Sequence, residues 1–522
     1  MDTKALRRKI LDLAIRGQLV PQDPADEPAS VLLDRIRAEK QKMVKEGKLK
    51  AKDIKNDSII FVGEDSLHYE KFADGSVKCI EDEIPFELPE GWAWARLGTV
   101  FSTVTGATPS TKDASLYGTD CPFYKPTDLD AGYNVCGAED SVSEKGYLSG
   151  RPLPKFSVLV TCIGATIGKT GYISNAGICN QQINAVLPNS EVLSDYTYFC
   201  MCSQYEQEQI WTNSSATTLP ILNKSKFDNL LFPIPPHEQQ SRIVERIKGL
   251  FFFVEKVQSN QESLKTTVGI AKSKILDLAI RGQLVPQDPN DEPASVLLER
   301  IRAEKEELIR QGKLKRDKKE SVIFRGDDNS YYLRTGKLVE SLEDWRFDAL
   351  PETWELCCLG DVCDYGDCIN VDTADIADDA WILDLEDIEK DTGAVIKKVT
   401  KAQRSSASTK HRFYSGQVLY SKLRPYLNKV VLSDADGYCT SEIIPLKFDR
   451  CVLPEYARYY LMSPTFLAYA DRCSYGVKMP RMGTADGKKA IIPLPPLVEQ
   501  KRIAKTIELL FSQLTRISEA LV

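Results

Sequence analysis

A short stretch in the second half of the chain is dense in basic side chains. Between Arg404 and Lys429 there is no Asp or Glu, and tyrosines are interleaved with the cations. The whole chain has a formal net charge of −7, so this patch is local. Lys and Arg neutralise phosphates and Arg reads base edges, which suits nucleic-acid contact; an exposed strand face with scattered charge is the alternative. The candidates are Arg404, Lys410, Arg412, Tyr420, Ser421, Lys422, Arg424 and Lys429.

A second candidate loop in this half carries Lys478 and Arg481 among glycine and proline. The first half offers hydroxyl, amide and ammonium groups, and a Gln side chain can bond an adenine edge bidentately. Gln181 and Gln182 are adjacent, so on a strand they face opposite sides and one of them can be merely solvated. The candidates of the first half are Thr108, Ser110, Lys112, Lys125, Lys169, Gln181, Gln182 and Lys224.

The segment Gly164–Thr170 (GATIGKT) invites comparison with a phosphate-binding loop. That motif needs four residues between its glycines and a helix after the Lys. Here three residues separate Gly164 from Gly168, and the residues after Lys169 predict a strand. We interpret the segment as a Gly-rich β-turn, with an ATP-binding enzyme built on Gly164–Thr170 as the alternative function.

The remaining reactive side chains predict no catalytic centre. The chain has three His, and neither Pro-Pro segment has the Asn/Asp-Pro-Pro-aromatic pattern of a methyltransferase that acts on an exocyclic amine. Four clustered cysteines lack a Cys-x-x-Cys pair and a nearby His, so core thiols are expected. We therefore predict no catalytic residue, metal ligand or cofactor in this chain. These cysteines are Cys357, Cys358, Cys363 and Cys368.

The elements that position these residues are repeated within the chain. Residues 10–40 recur as residues 275–305 with two differences, and Leu88-Pro89-Glu90-x-Trp92 recurs as Leu350-Pro351-Glu352-x-Trp354. Each half closes with Pro-x-Pro-Pro before a helical pattern. Between these shared ends, residues 99–232 and 361–492 show no alignable similarity. A shared frame around two divergent inserts suggests one constant partner and two variable ligands.

The frame predicts long helices. After each Pro-Pro, apolar residues recur at helical spacing, and the first of these helices is expected from Glu238 to Arg281, about 65 Å. The second copy stops near Val522, and its missing half corresponds to Lys4–Arg16 at the other end of the chain. We therefore predict a circularly permuted, pseudo-two-fold arrangement in which the terminal helices pack antiparallel on the central one; an unpaired helical linker after each domain is the alternative. The apolar residues form one stripe along each helix. The stripe of the first helix is Ile243, Ile247, Leu250, Phe251, Val254 and Val257, and that of the second is Ile503, Ile507, Leu510, Phe511, Leu514 and Ile517.

Composition sets wider bounds. The 522 residues are 42% hydrophobic and 27% charged, which is typical of a globular protein of several domains. No apolar run is long enough to span a membrane, and the charged N-terminus does not resemble a signal peptide. Fourteen Cys without an export signal favour reduced thiols and a cytoplasmic location.

This duplicated frame, with its Leu-Pro-x-x-Trp entry and Pro-x-Pro-Pro-x-x-Glu-Gln exit, resembles the specificity subunit of Type I restriction-modification systems. Thr105–Ser110, Val158–Thr170, Val418–Lys429 and Lys478–Arg481 also resemble blocks of that family's target recognition domains. Two features depart from it: Glu238 stands one position early, and the stretch between each long helix and the next Leu-Pro-Glu is longer than expected.

The resemblance implies an α+β fold with two mixed α/β recognition domains separated by long antiparallel helices. It implies that each domain reads half of a bipartite site in double-stranded DNA. The helices would set the spacing and hold two modification (methyltransferase) subunits, with two restriction subunits joining them. S-adenosylmethionine, ATP and Mg would be bound by those partners, and a coiled-coil scaffold for protein ligands is a further alternative. The implied domains are residues 1–87, 88–236, 237–349, 350–496 and 497–522.

Overall fold

The computed structural model forms two compact units, Met1–Asn260 and Gln261–Val522. It describes residues 2–47, 49–51, 54–215, 219–312, 321–328, 330–345, 347, 350–404 and 408–520.

The first unit contains a three-stranded antiparallel sheet β1-β2-β3 and a mixed domain with sheets β10-β6-β7, β5-β11-β8-β9 and β12-β4. Its helices are α1 (Thr3–Ile15), α2 (Ala29–Lys45), α3 (Leu97–Val100), α4 (Glu144–Ser149), α5 (Ser194–Met201), α6 (Gln204–Asn213), α7 (Lys224–Asp228) and the start of α8 (His237–Ile280). Its strands are β1 (Ser58–Val62), β2 (His68–Phe72), β3 (Val77–Cys79), β4 (Ala93–Arg96), β5 (Thr103–Thr105), β6 (Tyr117–Tyr124), β7 (Asp140–Val142), β8 (Val158–Thr161), β9 (Thr170–Tyr172), β10 (Ile178–Cys179), β11 (Ile183–Val186) and β12 (Leu231–Ile234).

The second unit repeats this plan with sheets β13-β14-β15, β16-β27, β17-β20-β23-β18-β19, β22-β21-β24 and β25-β26. Its helices after α8 are α9 (Ala294–Arg310), α10 (Leu359–Val362), α11 (Pro454–Leu461), α12 (Pro464–Arg472), α13 (Thr484–Lys489) and α14 (Leu497–Ala520). Its strands are β13 (Ser321–Arg325), β14 (Tyr331–Thr335), β15 (Leu338–Ser341), β16 (Glu355–Cys358), β17 (Ile369–Val371), β18 (Trp381–Leu383), β19 (Val399–Thr400), β20 (Lys410–Phe413), β21 (Val418–Ser421), β22 (Val430–Leu432), β23 (Gly437–Thr440), β24 (Ile443–Leu446), β25 (Ser474–Tyr475), β26 (Arg481–Met482) and β27 (Ile491–Leu494).

The terminal helix α1 packs antiparallel on the first part of α8. The Arg7 guanidinium lies 4.7 Å from the ring centre of Phe251, whereas Gln22, beyond the C-terminal end of α1, bonds Gln239 near the start of α8. Later residues of the α1 segment therefore meet earlier residues of α8. Glycine in a left-handed conformation ends α1, since Gly17 has φ +66°.

The same pairing recurs in the second unit. The ammonium of Lys272 in α8 lies 5.4 Å from the ring centre of Phe511 in α14 and 3.2 Å from the Thr515 hydroxyl. Gln287, beyond the end of α8, bonds Glu499 at the start of α14. Antiparallel pairing of each terminal helix with part of α8 is thus confirmed, and the unpaired-linker alternative is wrong.

The apolar stripes are buried where the helices leave the globular domains. Ile247 and Ile507, at equivalent places, are both fully buried. Ile517, the last residue of the second stripe, remains 48% exposed near the end of α14. Hydrophobic burial therefore stabilises the first turns of α14 more than the last ones.

A buried hydrogen-bond cluster ties the frame of the first unit together. The indole N–H of Trp92 donates to the side-chain oxygen of Gln239 at 2.9 Å, and the Gln239 amide donates to Gln22 at 2.9 Å. Arg242 in the next turn of α8 pairs with Asp26. These contacts join the Leu-Pro-x-x-Trp entry, the helix start and the turn after α1.

In the second unit the same cluster contains a carboxylate. Trp354 donates its indole N–H to Glu499 at 3.0 Å, Gln287 donates to Glu499 at 2.6 Å, and Arg502 pairs with Asp291 at 2.6 Å. Glu238 of the first half corresponds in position to Val498 and lies outside this cluster. Gln239 takes the place of Glu499, so the two frames differ here by one charge.

The two inserts share a framework although their sequences show no alignable similarity. From β8 and β21 onward each element of the first unit recurs 260 positions later, as Val158 and Val418 or Leu231 and Ile491 illustrate. The thiols of Cys179 and Cys439 even approach the carbonyls of Ile183 and Ile443 in the same way. Fold is conserved here by burial pattern and backbone pairing while side chains diverge.

The two long stretches that depart from the resemblance contain helices α2 and α9 and the three-stranded sheets. In the first unit a buried ion pair joins sheet and domain, because Arg96 of β4 lies 2.7 Å from Glu70 of β2. The corresponding places in the second unit are occupied by buried Cys358 and Leu333. The frame therefore accepts either an ion pair or an apolar contact at this point.

Candidate nucleic-acid interface

The candidate surface of each unit is built from three backbone segments. These are the hairpin loop between β8 and β9 or between β21 and β22, the turn before β11 or β24, and the loop before α7 or α13. In the first unit the Gly164 amide donates to the Pro220 carbonyl at 3.0 Å. In the second the Arg424 amide donates to the Pro480 carbonyl at 2.7 Å. We call these three segments together the recognition surface of each unit.

The recognition surface of the second unit unites its two predicted basic loops. Leu423 and Arg481 form a β-bridge, and the Lys422 carbonyl accepts from the Met482 amide at 3.1 Å. The Lys422 amide donates to the Glu442 carbonyl at 3.0 Å. Residues distant in sequence are thus placed on one surface, and Lys422, Arg424, Lys478 and Arg481 are at most half-buried there.

Arg424 occupies a conformation that L-residues rarely adopt. Its φ is +50° and its ψ +63°, where the first unit has Gly164 at φ +103°. A left-handed conformation costs a non-glycine residue about 1–2 kcal/mol, so a glycine would suit the turn better. The chain keeps an arginine there, on the surface that the sequence singles out for binding.

Arg481 is held by a carboxylate that the sequence analysis missed. Its Nε lies 3.0 Å and 3.1 Å from the two carboxylate oxygens of Glu442, and its Nη2 lies 2.8 Å from one of them. The hydrogen bond to Glu442 raises the pKa of Arg481. No spacing rule points to Glu442, because it lies 39 positions from its partner and only the fold joins them.

Several candidates of the basic patch lie in the interior, which corrects their assignment to a binding face. Lys410, Tyr420 and Ser421 are 2%, 2% and 3% exposed, because they lie on central strands of their sheets. The Lys410 ammonium lies 3.4 Å from the Asp384 carboxylate. These three side chains therefore belong to the interior of the second unit rather than to its surface.

Three further cations of the patch divide between internal partners and solvent. Arg404 bonds the buried Asp387 through both terminal nitrogens, at 2.6 and 2.7 Å, and this hydrogen bonding raises the pKa of Arg404. Lys429 donates to the Leu385 carbonyl at 2.6 Å, and partial burial lowers the pKa of its ammonium. Arg412 is exposed on β20. Charge counting overestimated the basic face because it could not locate the acidic partners.

The recognition surface of the first unit is polar rather than basic. Thr108 donates its hydroxyl to the Gln181 side chain at 2.5 Å, and the Asn180 amide donates to Gln182 at 2.9 Å. The Ala107 amide donates to the Cys179 carbonyl, which brings the segment Thr105–Ser110 against this turn. The adjacent glutamines lie in a turn rather than on a strand, and Gln181 is exposed whereas Gln182 is half-buried.

The remaining candidates of the first unit are either exposed or engaged in ion pairs. Ser110 and Lys112 are exposed. Lys125 pairs with Asp140, Lys169 with Asp130 at 2.6 Å, and Lys224 with Asp228 at 2.5 Å. These pairs reduce the positive charge that the three lysines present to a polyanion.

The Gly-rich segment is not a phosphate-binding loop. It forms the turn between antiparallel strands β8 and β9, and no helix follows Lys169, so the geometry that the ATP-binding alternative requires is absent from residues 164–172. Its counterpart in the second unit is the basic hairpin loop that contains Arg424.

All four clustered cysteines were predicted to be core thiols, and three of them are. Cys357, Cys358 and Cys363 are buried, whereas Cys368 is half-buried. Burial raises the pKa of the Cys358 thiol to about 11. Among the residues that the structure describes, no cluster of three His, Cys, Asp or Glu side chains is arranged to hold a metal ion. Within the same residues, no helix combines the length and apolarity needed to cross a membrane.

Comparison with known proteins places these units among relatives. Residues 89–264 and 351–521 each match the family model described as the Type I restriction modification DNA specificity domain. The chain is 29% identical over 410 residues to the EcoEI specificity subunit and 28% over 412 residues to the EcoAI specificity subunit, both Type I restriction enzymes of Escherichia coli. Each match covers 69% of this chain and 61% or 62% of the relative, so the matched part of the chain spans about three fifths of their length.

The fold also matches a solved structure. A chain from a study titled "Structural basis underlying complex assembly and conformational transition of the type I R-M system" superposes with a TM-score of 0.53 at 16% identity. The superposition covers 84% of this chain and 94% of that one. The predicted fold class, two mixed α/β domains with long helices, is confirmed.

Proposed function

Because the chain belongs to the family of Type I restriction modification DNA specificity domains, we propose that it is a non-catalytic DNA-recognition subunit. Each recognition surface reads one half of a bipartite site in double-stranded DNA. The observation that carries the proposal is the pairing of one framework with two unlike surfaces. A shared framework docks in the same way on two half-sites, and different side chains then select different bases.

The recognition surfaces of the two units differ in charge and hydrogen-bonding groups. The second unit presents Lys422, Arg424 and Arg481, which suit phosphates and guanine edges. The first presents Thr108, Gln181 and Gln182, which suit adenine edges and sugar–phosphate hydrogen bonds. The half-sites are therefore expected to differ in sequence, and the first to contribute less to the salt dependence of binding.

The repeated frame supports a partner that is present twice. The clusters around Trp92 and Trp354 have nearly the same geometry, and residues 10–40 and 275–305 are almost identical. A surface that occurs twice binds two copies of one partner. Two modification subunits are the expected occupants, with two restriction subunits added to the assembly. S-adenosylmethionine, ATP and Mg are proposed to bind those partners. A cytoplasmic location is proposed because the ligand is DNA.

The domain boundaries of the proposal are residues 88–236 and 350–496 for the recognition domains, with residues 1–87, 237–349 and 497–522 as frame. The strand pairs β4–β12 and β16–β27 support these limits, because each brings the two ends of an insert together. Helix α8 is continuous for 44 residues, about 66 Å, and is proposed to fix the distance between half-sites.

Domain exchange tests this proposal. Residues 350–496 are placed in both positions, the chain is produced with its modification subunits, and methylated sites are mapped by long-read sequencing of genomic DNA. We expect the wild type to modify a site with two different halves and the exchanged chain to modify one with the same half at both ends. A chain with residues 88–236 in both positions is the matched control. Exchange that leaves the site unchanged, or alters both halves at once, would contradict independent readers.

A further inference from the structure

We propose that Arg481 and Glu442 form a guanine-reading pair, in which Glu442 is a positioning residue that does not itself contact the base. The inference rests on the proposed function and names one base of the half-site that the second unit reads. It follows from which edge of the guanidinium Glu442 occupies.

Glu442 binds Arg481 side-on. The carboxylate bonds the edge formed by Nε and Nη2, with nitrogen–oxygen distances between 2.8 and 3.1 Å. A guanidinium has two such edges, and the other is the fork of Nη1 and Nη2. Nη1 makes a long 3.4 Å contact to the Met479 carbonyl, and the Arg481 side chain is 35% exposed. The fork is thus left at the recognition surface.

The fork matches guanine better than phosphate. Guanine presents O6 and N7 as two adjacent acceptors in the major groove, and a bidentate Arg is their usual partner. Attraction to phosphate depends on net positive charge, and Glu442 neutralises the charge of Arg481 at contact distance. A carboxylate that weakens a phosphate contact still orients the planar fork, because two parallel hydrogen bonds fix the plane and the direction of the group.

The rest of the surface holds this pair in position. The β-bridge of Arg481 to Leu423 and the hydrogen bond from Lys422 to the Glu442 carbonyl attach both backbones to one hairpin loop. The first unit has Ile221 and Gln182 at these two places, 260 positions earlier. It therefore lacks the pair, and the inferred guanine belongs to one half-site only.

Two substitutions test the pair in the full chain, assembled with its modification subunits. Arg481→Lys keeps the cation and removes the fork, and Glu442→Gln keeps one acceptor and removes the charge. Lys478→Gln, on the exposed neighbouring loop, is the matched control for a phosphate contact. Binding and methylation are measured on duplexes that vary one base pair at a time, at several salt concentrations.

We expect Arg481→Lys to reduce the preference for guanine at one position of one half-site by about tenfold or more, with the other half-site unchanged. Glu442→Gln should relax the same position, yet strengthen binding to unrelated DNA and steepen its salt dependence, since the surface gains one positive charge. A residue with a purely structural role would lower both affinity and discrimination. Lys478→Gln should weaken binding equally for all sequences.

Two results overturn the pair. The first is that the Arg481→Lys chain keeps every base preference. The second is that its binding to all sequences is weakened equally, as expected for Lys478→Gln. Failure of the proposed function looks different, because the wild-type assembly would then modify no bipartite site. The half-site read by the first unit shows in the same experiment that each variant is folded and assembled.

Discussion

Trp354 and Trp92 make the same buried hydrogen bond to acceptors of different charge, so replacing each by Phe separates charge from packing. Trp354→Phe removes the N–H that lies 3.0 Å from Glu499, and Trp92→Phe removes the one that lies 2.9 Å from Gln239 and 3.2 Å from Gln22, two neutral acceptors. A hydrogen bond to a charged group contributes about 1.5–3 kcal/mol and a neutral one about 0.5–1.5 kcal/mol. Since the lost ring volume is the same, we expect Trp354→Phe to destabilise its unit by about 1 kcal/mol more.

This difference depends on pH because Glu499 titrates. Burial raises the pKa of the Glu499 carboxyl, although hydrogen bonds from Gln287 and Trp354 oppose the shift. A carboxyl with a higher pKa in the folded state stabilises that state below its unfolded pKa, and the stabilisation is lost as pH rises through the raised pKa. We expect the second unit to lose stability in that window and Glu499→Gln to abolish the loss. The extra cost of Trp354→Phe should shrink as pH falls and the carboxyl becomes neutral.

Hydrogen exchange read by mass spectrometry on the full chain measures each unit separately. Peptides that contain β4 and β12 report the opening free energy of the first unit, and those with β16 and β27 that of the second. The first unit, with Gln239 in place of Glu499, is the internal control. Equal destabilisation by the two Phe variants at every pH would refute the assignment of a charged acceptor to one frame and a neutral one to the other.

Three further predictions concern the surface and the helices. Ile507→Ala should cost about 2–5 kcal/mol in the unfolding of the second unit, whereas Ile517→Ala on the same helix should cost well under half of that, as denaturant titration will show; similar losses would contradict the observed burial. Arg424→Gly should change the free energy of unfolding by less than about 1 kcal/mol, because relief of the left-handed backbone offsets the added entropy of the unfolded chain. The same variant should weaken binding to one half-site in footprinting, and weaker binding to both half-sites would contradict the placement of Arg424 on one recognition surface. Insertion of seven residues between Asn260 and Gln261 should lengthen α8 by about 10 Å. The gap between the mapped half-sites should then widen by about three base pairs. An unchanged gap would show that α8 does not set the spacing.

The sequence by itself determined the frame. Repetition of residues 10–40 as 275–305 marked the frame, and helical periodicity located the central helix to within one residue at each end of α8. These features are local, because periodicity and capping act within a few turns of helix. Antiparallel pairing followed as well, since unburied apolar stripes need a partner.

Only the tertiary structure decided the recognition surface. Lys410 and Arg404 looked like free cations, but the segment after β18 brings Asp384 and Asp387 to their side chains. Glu442 gave no signal, because its contact with Arg481 depends on a β-bridge between segments far apart in the chain. The likeness of the two inserts was also hidden in sequence: backbone pairing and buried volume fix a fold that many surface side chains satisfy equally well.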